Sequence, residues 1–154
     1  MSTFRLMRFL TGCAVAALLA GCASQRLPDA ERYALYADHA GAGVDHFQYF
    51  GRLTGWTPLG TEALVVWTRP SEAWLLDLAA HCEDLQYAPA IGLTSTLNQV
   101  SARLDRVIVS SRGAITFPCR IRQIRPLDVA AIRAAERRNP EGAPSLDQPS
   151  DSGT

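Results

Sequence analysis

A chain of 154 residues with 47% hydrophobic side chains is sized for one domain with a modest core and not for two. Fifteen basic and fifteen acidic side chains cancel, which argues against a nucleic-acid binder, whose footprint is strongly basic. Every cation is Arg and none is Lys; this reads first as genomic base composition, although Arg also suits bidentate recognition of anions.

The N-terminus carries Arg5 and Arg8 ahead of an apolar run from Phe9 to Ala20 that is too short to span a bilayer as a mature helix. Residues 1–21 therefore read as a signal peptide. The closing Leu19-Ala20-Gly21-Cys22 resembles the bacterial lipoprotein processing site, where the thiol receives diacylglycerol, the chain is cut before it, and the new amino group is acylated. That resemblance makes Cys22 the lipidated first residue of the mature chain. Each buried methylene contributes about 0.8 kcal/mol, so several acyl chains anchor stably where one is marginal. Ala23 and Ser24 follow, not the Asp that often favours inner-membrane retention in Gram-negative lipoproteins, so the same resemblance implies the periplasmic face of the outer membrane. Losing Arg5 and Arg8 leaves the mature chain mildly acidic.

Cysteine usage follows from this. Cys13 leaves with the signal and Cys22 carries lipid, so Cys82 and Cys119 remain as one pair in an oxidising compartment and are expected to form a disulfide. Two Cys with no second pair and no suitably spaced His make a poor zinc site, and neither metal nor cofactor is expected.

In chain order, residues 22–43 read as a lipid-anchored tether holding a short helix from Ala30 to about Ala40. Asp29 is its expected cap, with Tyr33, Tyr36 and Ala37 or Ala40 on one face and Gly41 and Gly43 as the stop. Asp38-His39 and Asp45-His46 have the composition of a metal or acid/base cluster. A Gly-rich break between them fixes no shared geometry, so a solvated polar linker is the better reading. A β-rich domain is expected over residues 44–138. Phe47–Phe50, Ala63–Thr68 and Ala73–Leu78 are short aromatic and β-branched runs that predict strands. Arg69-Pro70-Ser71-Glu72 predicts a tight turn, which pairs the last two antiparallel. Trp56, Trp67 and Trp74 are then core or sheet-face residues, with an aromatic sugar-binding platform as the alternative.

Ala90–Leu93 is a small strand candidate, Thr94–Gln99 a turn, and Val100–Arg103 and Asp105–Val109 further strands. Ser110–Gly113 reads as a turn, and Ile115–Phe117 with Cys119–Ile124 complete the sheet, Pro118 marking a bulge or edge. Pro126 and Asp128 start a helix that ends near Arg138, with Arg137 and Arg138 complementing its C-terminal dipole. Residues 139–154 are rich in Pro, Gly, Ser and Asp and read as a disordered tail. The fold expected is mainly β (α+β): one antiparallel sheet or half-barrel of about five to seven short strands, a C-terminal helix and one disulfide.

The lipidation motif, Trp67-Thr68-Arg69-Pro70, Leu75-Leu76-Asp77-Leu78, Cys82, Ala90-Ile91, and Cys119-Arg120-Ile121-Arg122 leading to Ile124-Arg125-Pro126-Leu127-Asp128 together resemble a family of small bacterial lipoproteins classed as a domain of unknown function. The resemblance covers residues 40–130 and implies a fold and an address but no activity, so no catalytic residue carries over.

No Gly-x-Ser-x-Gly elbow, His-Glu-x-x-His or phosphate-cradling Gly loop is present, and the disulfide removes the free thiols. The expectation is a non-enzymatic lipoprotein, held to the membrane by its N-terminal lipid, that binds an envelope protein or polymer. Alternatives are an envelope hydrolase using His39 or His46, or, by analogy with other small disulfide-bonded β domains, an inhibitor-like lipoprotein acting on a wall-degrading enzyme.

Charge is unevenly placed along the chain. Residues 60–90 hold Glu62, Glu72, Asp77, Glu83 and Asp84 against Arg69; residues 100–125 hold Arg103, Arg106, Arg112, Arg120, Arg122 and Arg125 against Asp105. One expectation is that these charges meet across the solvent face of a sheet, each exposed pair contributing about 0–1 kcal/mol. The sharper one is that Arg120 and Arg122, two apart on one strand face, join Arg103 or Arg106 in an unpaired patch for lipid phosphates or wall carboxylates.

Replacing the lipidated residue gives the first test. Cys22→Ser should abolish fatty-acid labelling in cells and leave the precursor uncut; normal labelling of the variant would refute the assignment.

Overall fold

The structure, a computed structural model, describes residues 27–110 and 118–138. Cys22, the signal segment, the turn expected after Ser110, the strand expected at Ile115–Phe117 and the tail from Asn139 lie outside the described residues. In chain order the elements are α1 (Asp29–Asp38), β1 (His46–Gln48), β2 (Gly55–Pro58), β3 (Ala63–Arg69), β4 (Glu72–Leu78), a 3-10 turn (Leu85–Tyr87), β5 (Ala90–Leu93), β6 (Gln99–Ser101), β7 (Arg106–Ser110), β8 (Cys119–Pro126) and α2 (Val129–Arg138).

Six strands form one antiparallel, nearly closed sheet in the order β2-β3-β4-β8-β7-β5. β1 and β6 pair antiparallel as a separate two-stranded sheet, which places Phe47 and Val100 on the inner core. The hairpin of β3 and β4 explains itself from its sequence. Leu64, Val66, Leu76 and Leu78 point into an inner cluster with Val107, Val109, Ile121 and Ile124. Ala63, Val65, Ala73 and Leu75 point the other way, into an outer cluster with Tyr36 of α1 and Val129 and Ile132 of α2. Burial on both faces is why these strands read as continuous apolar runs and not as alternation.

β8 departs from regular alternation. Leu78 pairs with Ile121 and Asp77 with Gln123, so Arg122 is an extra residue without a β4 partner. This bulge reverses the phase of the strand, and Ile121 and Ile124, three apart, both face inward.

The helix ends differ from one another. Asp128 caps α2 as the sequence predicts, its Oδ1 accepting from the Ala131 N–H at 2.9 Å. Asp29 is not the cap expected for α1: Pro28 occupies that position without a side-chain bond, and Asp29 is the first helical residue. There its Oδ2 accepts from Gln86 Nε2 at 2.6 Å and its Oδ1 lies 3.5 Å from Arg32. It still places negative charge on the helix N-terminus.

The segment after α1, read from sequence as a polar linker, is bonded to the free side of β8. Gly41 N–H donates to Pro126 O at 2.8 Å and Val44 N–H to Ile124 O at 2.9 Å. At Gly41 a Cβ would stand 3.1 Å from the Pro126 ring, so Gly permits the approach. Strand β2 was not anticipated: Gly55 and Pro58 at its ends resemble turn residues, and its place at a sheet edge is what tolerates them. Leu97 and Asn98, both with positive φ, form the two-residue turn into β6.

Cys82 and Cys119 are bonded, with Cα atoms 5.7 Å apart, and join the segment after β4 to the first residue of β8. They enclose a loop with a sequence separation of 37. Cys82→Ser should lower unfolding free energy by about 4 kcal/mol in denaturant titrations and free one thiol; two alkylatable thiols in unreduced wild type would contradict the pairing.

Candidate anion-binding face

β7 and β8 bring two arginines of the sequence-predicted set directly together. The register pairs Arg106 with Arg120 and Val107 with Cys119. Alternation then turns Val107, Val109 and Ile121 inward and leaves Arg106 and Arg120 exposed on the outer face; Arg122, two residues along β8 at the bulge, is exposed as well. Among the described residues, none of these three side chains forms an ion pair or a hydrogen bond. Arg103 is placed differently. It sits with φ of 67° in the turn before β7, its N–H donates to Ile121 O at 2.7 Å, and its Nη2 donates to Asp45 at 3.2 Å. Both partners are exposed, so the pair contributes little and leaves Arg103 open to exchange.

The expectation that the acidic and basic halves meet across a solvent face is corrected here. Among the described residues one such pair forms, Asp77 with Arg125 at 3.1 Å, and it is buried because α1 covers that part of the outer face. The Tyr33 hydroxyl donates to Asp77 Oδ1 at 2.9 Å, and Arg125 Nη2 donates both to Tyr33 at 2.8 Å and to Asp77 Oδ2. Burial, then the Asp77 carboxylate, pushes the Tyr33 phenol above its ordinary value, so it stays a donor. The cluster clamps α1 to β4 and β8. Nothing in the spacing of the six arginines singles out Arg125; the distinguishing signal is Asp77, set between Leu76 and Leu78 in the apolar half of its strand.

The remaining candidates do not converge. His39 gives its carbonyl to the Asp128 N–H at the start of α2, whereas His46 pairs with Ser101 in the two-stranded sheet, with the extended segment 40–44 between them. His81 contacts Thr61 at 3.0 Å on the surface. Among the described residues no group of three or more His, Cys, Asp or Glu could hold a metal ion. The tryptophans are divided: Trp56 and Trp74 pack on the inner cluster, Trp74 stacking on Phe47 at 5.0 Å, and Trp67 packs on the outer one. They present no shared platform.

These features define a class: a small β-rich domain with a nearly closed six-stranded sheet, helices over one part of its outer face, one disulfide, and unpaired arginines on another part. The chain belongs to a family of unknown function, DUF6491, which matches residues 5–143. It matches no curated protein and no solved structure.

Because Asp77 is buried beside a largely buried cation, Asp77→Ala should cost about 3 kcal/mol or more in urea unfolding, by stranding Arg125. Tyr33→Phe removes two hydrogen bonds, one donated to Asp77 and one accepted from Arg125, and should cost about 1–3 kcal/mol. An Asp77→Ala variant as stable as wild type would remove the clamp from the fold's account.

Proposed function

We propose that the protein is a lipid-anchored, non-enzymatic binding module of the periplasmic side of the outer membrane, and that the outer face of β7 and β8 recognises an anionic envelope partner. The observation that carries this reading is the pairing of Arg106 with Arg120. Like charges directly opposite in an antiparallel pair destabilise it, and no carboxylate among the described residues offsets them. An anion bridging the two guanidinium groups removes that repulsion and gains charge-assisted bonds in fork geometry. Arg122, skipped in the pairing with β4 by the bulge, is a third exposed arginine two residues along the same strand from Arg120.

The anchor is supported by the order of charge, apolar run, small residues and Cys at the N-terminus, a segment that the family match includes. No helix among the described residues is long and apolar enough to cross a bilayer.

The double variant Arg120→Gln/Arg122→Gln tests the face. It should bind an immobilised polyphosphate or polycarboxylate matrix more weakly than wild type, with a shallower dependence on salt. Its stability should change by no more than about 0.5 kcal/mol, as for other exposed substitutions. Unchanged binding combined with early melting would make the arginines structural and overturn the proposal.

A further inference from the structure

The end of the sheet where the tether joins the domain is also the end that carries the arginine pair. Asp29, the first residue of α1, lies against Gly60, where a Cβ would stand 3.6 Å from that of Asp29. Two residues on, Glu62 O accepts from the Leu78 N–H at 2.8 Å, and the Ala79 N–H donates to Arg120 O at 2.9 Å. These contacts lead from the start of α1, across the end of β4, to the start of β8. α1 itself runs the other way, toward the Ala40 and Leu127 bridge.

Cys22 stands seven residues before Asp29. An extended chain covers about 3.4 Å per residue, so acyl chains on Cys22 keep this end of the domain within about 25 Å of the bilayer. We propose that Arg106 and Arg120, with Arg122 two residues along β8, dock on phospholipid phosphates of the bilayer that holds the anchor, and so fix which side of the domain faces the membrane. This deepens the anchor and anionic-face readings above and rests on both.

Tethering favours lipid over a wall polymer, because it turns contact with phosphate into an intramolecular event at high effective concentration. Charge narrows the geometry further. Glu31, Glu62, Glu83 and Asp84 are exposed near the same end, so a diffuse attraction to an anionic surface is not what holds the domain. The contact is local, through guanidinium forks, and the domain leans on its β7 and β8 side. Tyr87, 85% exposed, follows the Gln86 that bonds Asp29 and supplies an aromatic of the kind that sits at headgroup level.

The test uses the acylated protein, its N-terminal peptide weighed first, inserted in vesicles of phosphatidylglycerol or of phosphate-free digalactosyldiacylglycerol. Arginine modification by phenylglyoxal is followed peptide by peptide. Arg106 and Arg120 should react about fivefold more slowly in the phospholipid, while Arg69, exposed at the opposite end of β3, reacts equally in both. Equal rates for Arg106 and Arg120 in the two lipids overturn the docking. If dissolved wall fragments then slow them, the anionic face survives and its partner is the polymer; if they do not, the face falls as well. An N-terminal peptide without acyl mass overturns anchor and docking together.

Discussion

Burial of β3 and β4 on both faces is the constraint from which the other elements take their positions. With Leu64 and Val66 facing one cluster and Ala63 and Val65 the other, the hairpin needs cover on two sides at once. The inner side is covered by curling the sheet, by Phe47 and Val100 of the flanking two-stranded sheet, and by Tyr49 just beyond it. The outer side is covered by Tyr36, Val129 and Ile132 from the helices that precede and follow the strands. At about 1.5–3 kcal/mol for each fully buried aliphatic side chain, these two contacts outweigh any exposed ion pair in the molecule.

Partial cover is what separates the arginines. α1 lies over β4 and the second half of β8, so Arg125 is enclosed with Asp77 and Tyr33, while Arg120 on the first half faces water. The bulge at Arg122 stands between the two regimes and keeps Ile121 and Ile124 together in the core despite their odd spacing. One strand thus carries both a buried structural cation, Arg125, and the exposed Arg120 and Arg122.

Much of this was legible in the sequence where chemistry is local. The β3–β4 hairpin follows from two apolar runs around Pro70-Ser71, α2 from Asp128, and the cross-link from compartment reasoning on four Cys. Features set by distant partners were not. Gly55–Pro58 is a strand only because Leu64–Trp67 lies beside it, and Gly41 and Val44 are ordered only by β8. Asp29 loses the capping position to Pro28 and takes Gln86, far along the chain, as its partner. Strand parity alone predicts that Arg120 and Arg122 share a face; it cannot predict a bulge, nor the helix that hides Arg125.

The attachment of α1 also determines how the domain bears load. A pull arriving through the residues before Asp29 enters the helix first and passes to the sheet through Tyr33, Asp77 and Arg125, then through the Gly41 and Val44 backbone bonds along β8. Those two backbone bonds link antiparallel segments side by side, at two points along β8. The first helix is therefore fastened to the sheet twice, by side chains along its length and by backbone just beyond it, and a pull must break both attachments to free it.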